Sequence, residues 1–316
     1  MFSYFIKRLL YALPIAIGVT VFVFSLVYMG GDPLDAVLPD DATAADVQEI
    51  KEIYGFDKPL PVQYITWLGR AITGDFGTSI GTGQPVADEI SRAIVNTLIL
   101  AICSALTGFP FAVFLGTLAG YYHGQRADKI VSGFAITGVS VPHYWLAIVL
   151  VIVFSVELNI LPSLGMGPGG SEDWTLDWAH AKHLVLPVIG GSIISMGIIA
   201  RSMRAAVAEI LNQEFVRALR SKGLSESRIA YHVMKNALPS ILGVVGLEIG
   251  SLMGGSILIE TIFSWPGAGF LLNEAIFRRD LPVLQGTILV LAMFFVILNL
   301  IVDISQTFVD KRIIRT

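Results

Sequence analysis

Cysteine is almost missing from this sequence: Cys103 is the only one in 316 residues. It sits inside an apolar run, so no internal disulfide can form and a cysteine-based metal site lacks a second ligand. We read Cys103 as packing. Charge is scarce as well, at 15% Asp, Glu, Lys and Arg where a soluble domain carries about 25%. No Gly-Lys dipeptide occurs, so a G-x-x-x-x-G-K-[ST] phosphate loop cannot be formed by this chain. Nor is there a nucleophile paired with a base that would suggest an enzyme. What fills the sequence instead is oil: 54% of residues are hydrophobic and the mean hydropathy is +0.71. This is the composition of an integral membrane protein. The length would suit two soluble domains, but spans of roughly 20 residues each use up chain quickly, so one helical membrane domain is expected.

Lys7 and Arg8 precede an apolar run from Leu9 to Met29. It is too long for a signal-peptide core and has no small-residue cleavage site, which predicts an uncleaved first span. Further runs at Asn96 to Gly120, Ile130 to Val156, Leu184 to Met203, Pro239 to Phe263 and Val283 to Phe308 bring the expected spans to six. Pro14, Pro110 and Pro142 fall inside spans, where neighbouring helices can satisfy the freed carbonyls. With the N-terminus inside, fourteen Lys and Arg fall on the cytosolic pieces and seven on the outer ones. The positive-inside rule therefore places both termini in the cytoplasm.

The first outer loop, about Gly30 to Val95, holds acids from Asp32 to Glu89 and two helical stripes. Val47, Ile50, Ile53 and Tyr54 form one, stopping at Gly55. Tyr64, Trp67, Leu68 and Ile72 form the other, ending near Gly74. The loop is either a docking surface for an extracytoplasmic partner or a cap over the outer ends of the spans. Asp177, His180 and His183 have the residue types of a metal site, but no further ligand or orienting partner can be identified, so no metal is assigned. Gly165 to Gly170, GMGPGG, precedes no strand–helix unit and is read as a flexible turn.

One polar island interrupts the oil, Glu214 to Pro239, EFVRALRSKGLSESRIAYHVMKNALP. Val207, Ile210, Leu211, Phe215, Ala218 and Leu219 make an apolar helix face, with Glu209, Gln213, Arg217 and Arg220 opposite. Gly223 ends that helix as a left-handed cap, Ser225 is the expected N-cap of the next, and Leu224 and Ile229 stand at the positions of a hydrophobic staple. An ordinary basic loop needs no amphipathic face and no paired caps. A helix, sharp turn and helix re-entering the bilayer at Pro239 favours a protein-docking element.

Deeper in the fifth span, Gly246, Gly250 and Gly254 lie four apart, a pattern that permits close helix approach and is a candidate for a gate. Glu248 among them is an intramembrane acid that either lines a path for solute or bonds a neighbouring helix. Glu260 and Asp303 lie nearer span ends, where solvation is easier, and both are read as structural.

The segment ARSMRAAVAEILNQEFVRALRSKGLSESRIAYHVMKNALPSIL, Ala200 to Leu242, resembles the EAA-type coupling loop of ABC importer permeases. It looks like the dipeptide, oligopeptide and nickel branch in particular. The similarity continues through Gly246 to Gly286, and FIKRLLYALPIAIGVTVFVFSLVYMGGDP and GFDKPLPVQYITWLGRAITGDFGTSI match the B-type subunit of that branch. Arg217-Ala218-Leu219 stand where Glu-Ala-Ala would be, the spacing from Gly223 to Pro239 is longer than the general consensus, and Gln306 and Lys311 replace a tyrosine and a proline common near the C-terminus.

The resemblance implies an all-α type I importer permease fold of six transmembrane helices, with a structured outer loop between helices 1 and 2 and a cytosolic coupling helix between helices 4 and 5. It divides the chain into an N-terminal span and periplasmic loop region, 1–95, and a core permease domain, 96–316. Arg217, Ala218, Arg220, Lys222, Gly223, Leu224, Ser225 and Glu226 would dock on a cytosolic ATPase. The chain itself would be non-catalytic and hold no cofactor, with ATP and Mg bound by two ATPase subunits. A homologous second permease, a periplasmic binding protein and the bilayer of the inner membrane complete the implied partners, with no nucleic acid among them. Peptides, nickel chelates or other small solutes all remain open as cargo. So does an ATP-independent secondary transporter using Glu248 and Asp303.

Overall fold

The computed structural model describes residues 2–29, 47–48, 51, 56–170 and 174–309. Ten α-helices of eight or more residues stand out among the described residues: α1 Phe2–Met29, α2 Leu60–Ile72, α3 Val86–Tyr121, α4 Arg126–Ser140, α5 His143–Leu150, α6 Trp178–Leu211, α7 Glu214–Ser221, α8 Glu226–Ile262, α9 Ala268–Arg278 and α10 Leu281–Val309. Four of them, α3, α6, α8 and α10, contain stretches long and apolar enough to cross a membrane. Backbone polar groups cannot stay unpaired in hydrocarbon, which is why the spanning elements are helices.

The expected third span is not one straight helix. α4 and the stretch His143–Glu157 meet at an angle of 101°. Pro142 is the cause: it has no N–H to give, and its ring forces Val141 into an extended conformation, φ −83° and ψ 125°. Beyond α5 the chain winds as a π-helix over Val151–Glu157, a geometry that periodicity does not reveal. Together the bent pair makes a fifth candidate span, while the apolar part of α1 among the residues with described side chains, Leu10–Leu26, is shorter than the other spans. α6 and α8 run beyond the expected limits, and α8 passes straight through Pro239 instead of starting there.

The chain divides into two compact units. In the first, which includes α1, α2, α9 and most of α10, the aromatic face of α2 lies on α1. Tyr64 and Trp67 sit 5.5 and 5.8 Å from the Phe24 ring, and the Tyr64 and Thr20 hydroxyls are 2.8 Å apart. α2 therefore packs along α1. The expected stripe of Val47, Ile50, Ile53 and Tyr54 ending at Gly55 falls largely outside the described residues. A buried carboxylate, Asp280, accepts from the Ser79 hydroxyl at 2.6 Å and the Gly81 N–H at 2.9 Å, fastening that loop to the start of α10.

The second unit, Leu98 to Trp265 with the end of α10, is built around α6. Its main core runs from Phe109 and Ala112 on α3 through Met203 and Val207 on α6 to Val216 on α7 and Ile229 and Val233 on α8. Close approach comes from small residues. A Cβ added at Gly120 would lie 2.7 Å from Val207 Cβ, and one at Gly116 would meet the Ala200 carbonyl and Met203 Cβ. Gly197 faces the Ala135 carbonyl of α4 in the same way, at 2.7 Å. Outward-facing Ile102, Leu106 and Phe114 of α3 are left exposed, as suits side chains that meet lipid.

Candidate functional site

The polar island folds as a helix, a left-handed turn and a second helix, but it starts with a break. Asn212 and Gln213 end α6, and Gln213 is extended at φ −73° and ψ 150° before α7 begins. The single amphipathic helix expected from Val207 to Leu219 is therefore two. The break changes which face is inward: Val216 is fully buried and Ala218 is exposed, contrary to the expected apolar face. Phe215 and Leu219 still pack against the core.

Gly223 has φ +74°. Its N–H donates to the Arg220 carbonyl at 2.9 Å, and the Leu224 N–H donates to the Leu219 carbonyl at 3.2 Å. Together these are the two hydrogen bonds of a Schellman cap, which satisfies carbonyls that the end of α7 would otherwise leave open. Leu224 and Ile229 both pack on the core, Ile229 with no exposure, so the staple forms. Ser225 occupies the N-cap position, yet its hydroxyl pairs with the Ser227 hydroxyl at 3.2 Å and makes no cap bond to the backbone.

Seven of the eight candidate docking residues, Arg217, Ala218, Arg220, Lys222, Gly223, Ser225 and Glu226, lie on the exposed side of this turn; Leu224 is half-buried. Two of the three cations are held by acids. Arg220 Nε donates to Glu226 Oε1 at 3.1 Å, and Glu226 also bonds the Tyr121 hydroxyl at the end of α3. The neighbouring carboxylate raises the Arg220 pKa. Arg217 faces Glu214 at 3.6 Å with both side chains in solvent, a pair of little energetic weight.

A second tie lies at the other foot of the island. Asp128 of α4 is buried and is bonded by Arg204 of α6, whose Nη2 lies 2.9 Å from Oδ2. It also accepts from Gly124 N–H at 2.8 Å and the Ser132 hydroxyl at 3.1 Å, with His123 Nδ1 3.2 Å away. Arg204 is one of the fourteen cytosolic Lys and Arg, and hydropathy and charge counting give it no other role. The partner is 76 positions distant, and spacing has no signal for such a pair.

The intramembrane candidates separate. Glu248 is buried, and its Oε2 has no hydrogen-bond partner among the described residues. Gly246 abuts Val302 of α10, so close approach holds there, whereas a Cβ at Gly254 would meet nothing within 4 Å. Gly250 is buried. Glu260 is fully buried despite its place near a span end, as are Phe263 and Trp265 just beyond it. The Asp303 side chain lies outside the described residues.

Among the described residues no three His, Cys, Asp or Glu are grouped to hold a metal. Asp177 instead caps α6, accepting from the His180 N–H at 2.8 Å, while His183 Nδ1 is 3.0 Å from the Leu164 carbonyl. The backbone N–H of His180, then the His180 ring and Thr175 hydroxyl, hold the Asp177 carboxyl well below the usual carboxylate range. GMGPGG is anchored and not loose: Gly165 N–H donates to the Phe263 carbonyl at 2.8 Å and Met166 is fully buried.

Comparison with known proteins adds the following. Residues 108–315 match the model of the binding-protein-dependent transport system inner membrane component, and residues 1–101 match the N-terminal model for such membrane components. The dipeptide transport system permease protein DppB of Alkalihalophilus pseudofirmus is 36% identical over 99% of both chains. The glutathione transport system permease protein GsiC of Escherichia coli is 34% identical, again over 99% of both. A chain of the inward-facing MetNI methionine ABC transporter superposes with a TM-score of 0.58 at 17% identity, covering 70% of this chain and 96% of that one.

Proposed function

The chain belongs to the family of binding-protein-dependent transport system inner membrane components, the permeases of ABC importers, and on that premise we propose how it works. It is a multi-pass inner-membrane subunit of a peptide importer. Six spans, with α1 and the bent α4–α5 pair each counted once, put both termini on one side of the membrane, and the excess of Lys and Arg on that side makes it the cytoplasm. A homologous permease completes the pore, two ATPases bind ATP and Mg, and a periplasmic protein delivers cargo. The relatives named for dipeptide and glutathione transport support peptides as that cargo.

The observation that carries the coupling role is the capped turn at Gly223. An exposed, cationic, eight-residue helix has little stability by itself. Here it is held because Val216, Leu219, Leu224 and Ile229 share one core with α6 and α8. An ATPase that grips the turn pulls on both spans.

Co-reconstitution tests this. The chain, its partner permease, two ATPases and binding protein in liposomes are expected to take up peptide only with ATP. Uptake by this chain alone down a proton gradient would sink the reading and revive the secondary transporter.

A further inference from the structure

Within the second unit, α3, α5, α6 and α8 line a cavity of ≈ 70 Å³ that is open to the surface beside exposed Ser251. Its volume admits a handful of waters at about 10–15 Å³ each, or one carboxylate or amide group; a whole dipeptide does not fit. Most of its wall is aliphatic, but five polar side chains converge on it: Ser104, His143, Ser195, Ser251 and Ser256. Few polar groups set in an apolar wall are the usual make-up of a site that orients a small ligand.

His143 carries the case. It is the first residue of α5, placed by the 101° break at Pro142, and its Nε2 is buried without a hydrogen-bond partner. A buried, unsatisfied ring nitrogen is costly unless something fills its need. Ser256 already donates its proton to the Met253 carbonyl at 2.9 Å. Glu248 precedes Ser251 on α8 by one helical turn, and its Oε2 is likewise unpartnered.

We infer that this cavity is a solute subsite, in which His143 Nε2 and the hydroxyls of Ser104, Ser195 and Ser251 hydrogen-bond the terminal carboxylate of a peptide. The inference rests on the peptide-importer reading. Glu248, one turn away, is of the sign to take the peptide's amine. The subsite recognises main-chain ends only and so leaves side-chain selection to other parts of the importer.

The test uses the complete importer in liposomes. Wild type is first offered a mixture of alanine peptides two to five residues long. The best one is then compared with its C-terminal carboxamide. Loss of a hydrogen bond to a charged group predicts that His143→Leu lowers uptake efficiency about thirtyfold for the free-acid peptide. The carboxamide should lose only about fivefold, because a neutral group loses the weaker bond. His143→Gln, which keeps a donor, is expected to restore most of the free-acid uptake. Equal losses with both peptides, no loss, or a Gln variant as poor as Leu overturns the subsite. ATP-dependent uptake by wild type in those cases leaves the importer reading standing. Failure of wild type to move any alanine peptide overturns the substrate class and the subsite with it.

Discussion

Substituting Gly223 separates two reasons for a glycine at the docking turn. Its φ of +74° lies where a side chain costs about 1–2 kcal/mol, most for a β-branched residue and least for Asn. Yet a Cβ there meets nothing within 4 Å in this chain, so the penalty is all backbone. A cost of 1 to 2 kcal/mol shifts the capped turn against frayed forms by roughly 5- to 30-fold. Uptake per ATP hydrolysed in proteoliposomes should fall in the order Gly223, Asn, Ala, Val, with Ala down about fivefold and Val down toward thirtyfold. ATPase subunits should still co-purify with the Asn variant. If Gly223→Asn is as damaging as Gly223→Val, the backbone account fails, and the glycine is needed for space against the bound ATPase.

Asp128→Ala should leave Arg204 half-desolvated and lower stability in detergent by roughly 2 kcal/mol, less than the 3–5 kcal/mol of a fully buried pair because Arg204 is 29% exposed; thermal unfolding reads it, and an unchanged midpoint refutes it. Gly116→Ala overpacks α3 against the Ala200 carbonyl and should cost about 1–3 kcal/mol, whereas Gly254→Ala, in open space, should be neutral; equal effects in the same melt would contradict the packing. Glu248→Gln should impair uptake of peptides with a free, cationic N-terminal amine more than of their neutral N-acetylated forms, and equal losses with both rule out a path role.

The features readable in the sequence are the local ones. Lys222-Gly223-Leu224 after an amphipathic run signals a Schellman cap because every partner lies within five residues. The same logic makes Gly108, Ala112, Gly116 and Gly120 legible, four apart on α3, although the weaker glycine series of α8 drew the reading instead. Non-local facts left no periodic trace. Hydropathy over Ile130 to Val156 is blind to a 101° bend, because a window average ignores direction. The break at Asn212–Gln213 was hidden by flanking residues that are good helix formers on either side.

That break bears on mechanism. A continuous helix from α6 into the docking segment would transmit force along its axis. With the helix interrupted, α7 is held to the spans by the short Asn212–Gln213 link and by side-chain packing. Val216 and Leu219 press it on the core, Arg204 ties α6 to α4 through Asp128, and Glu226 ties α8 to Arg220 and to Tyr121 on α3. The two polar ties reach different helices. If an ATPase grips the turn as proposed, a pull at Gly223 would be shared by α3 and α4 as well as α6 and α8, and α3, α6 and α8 are also the helices that, with α5, wall the cavity lined by His143. A movement of the docking turn that repacks this core must change the shape of that cavity, because a close-packed interior has no slack to absorb it.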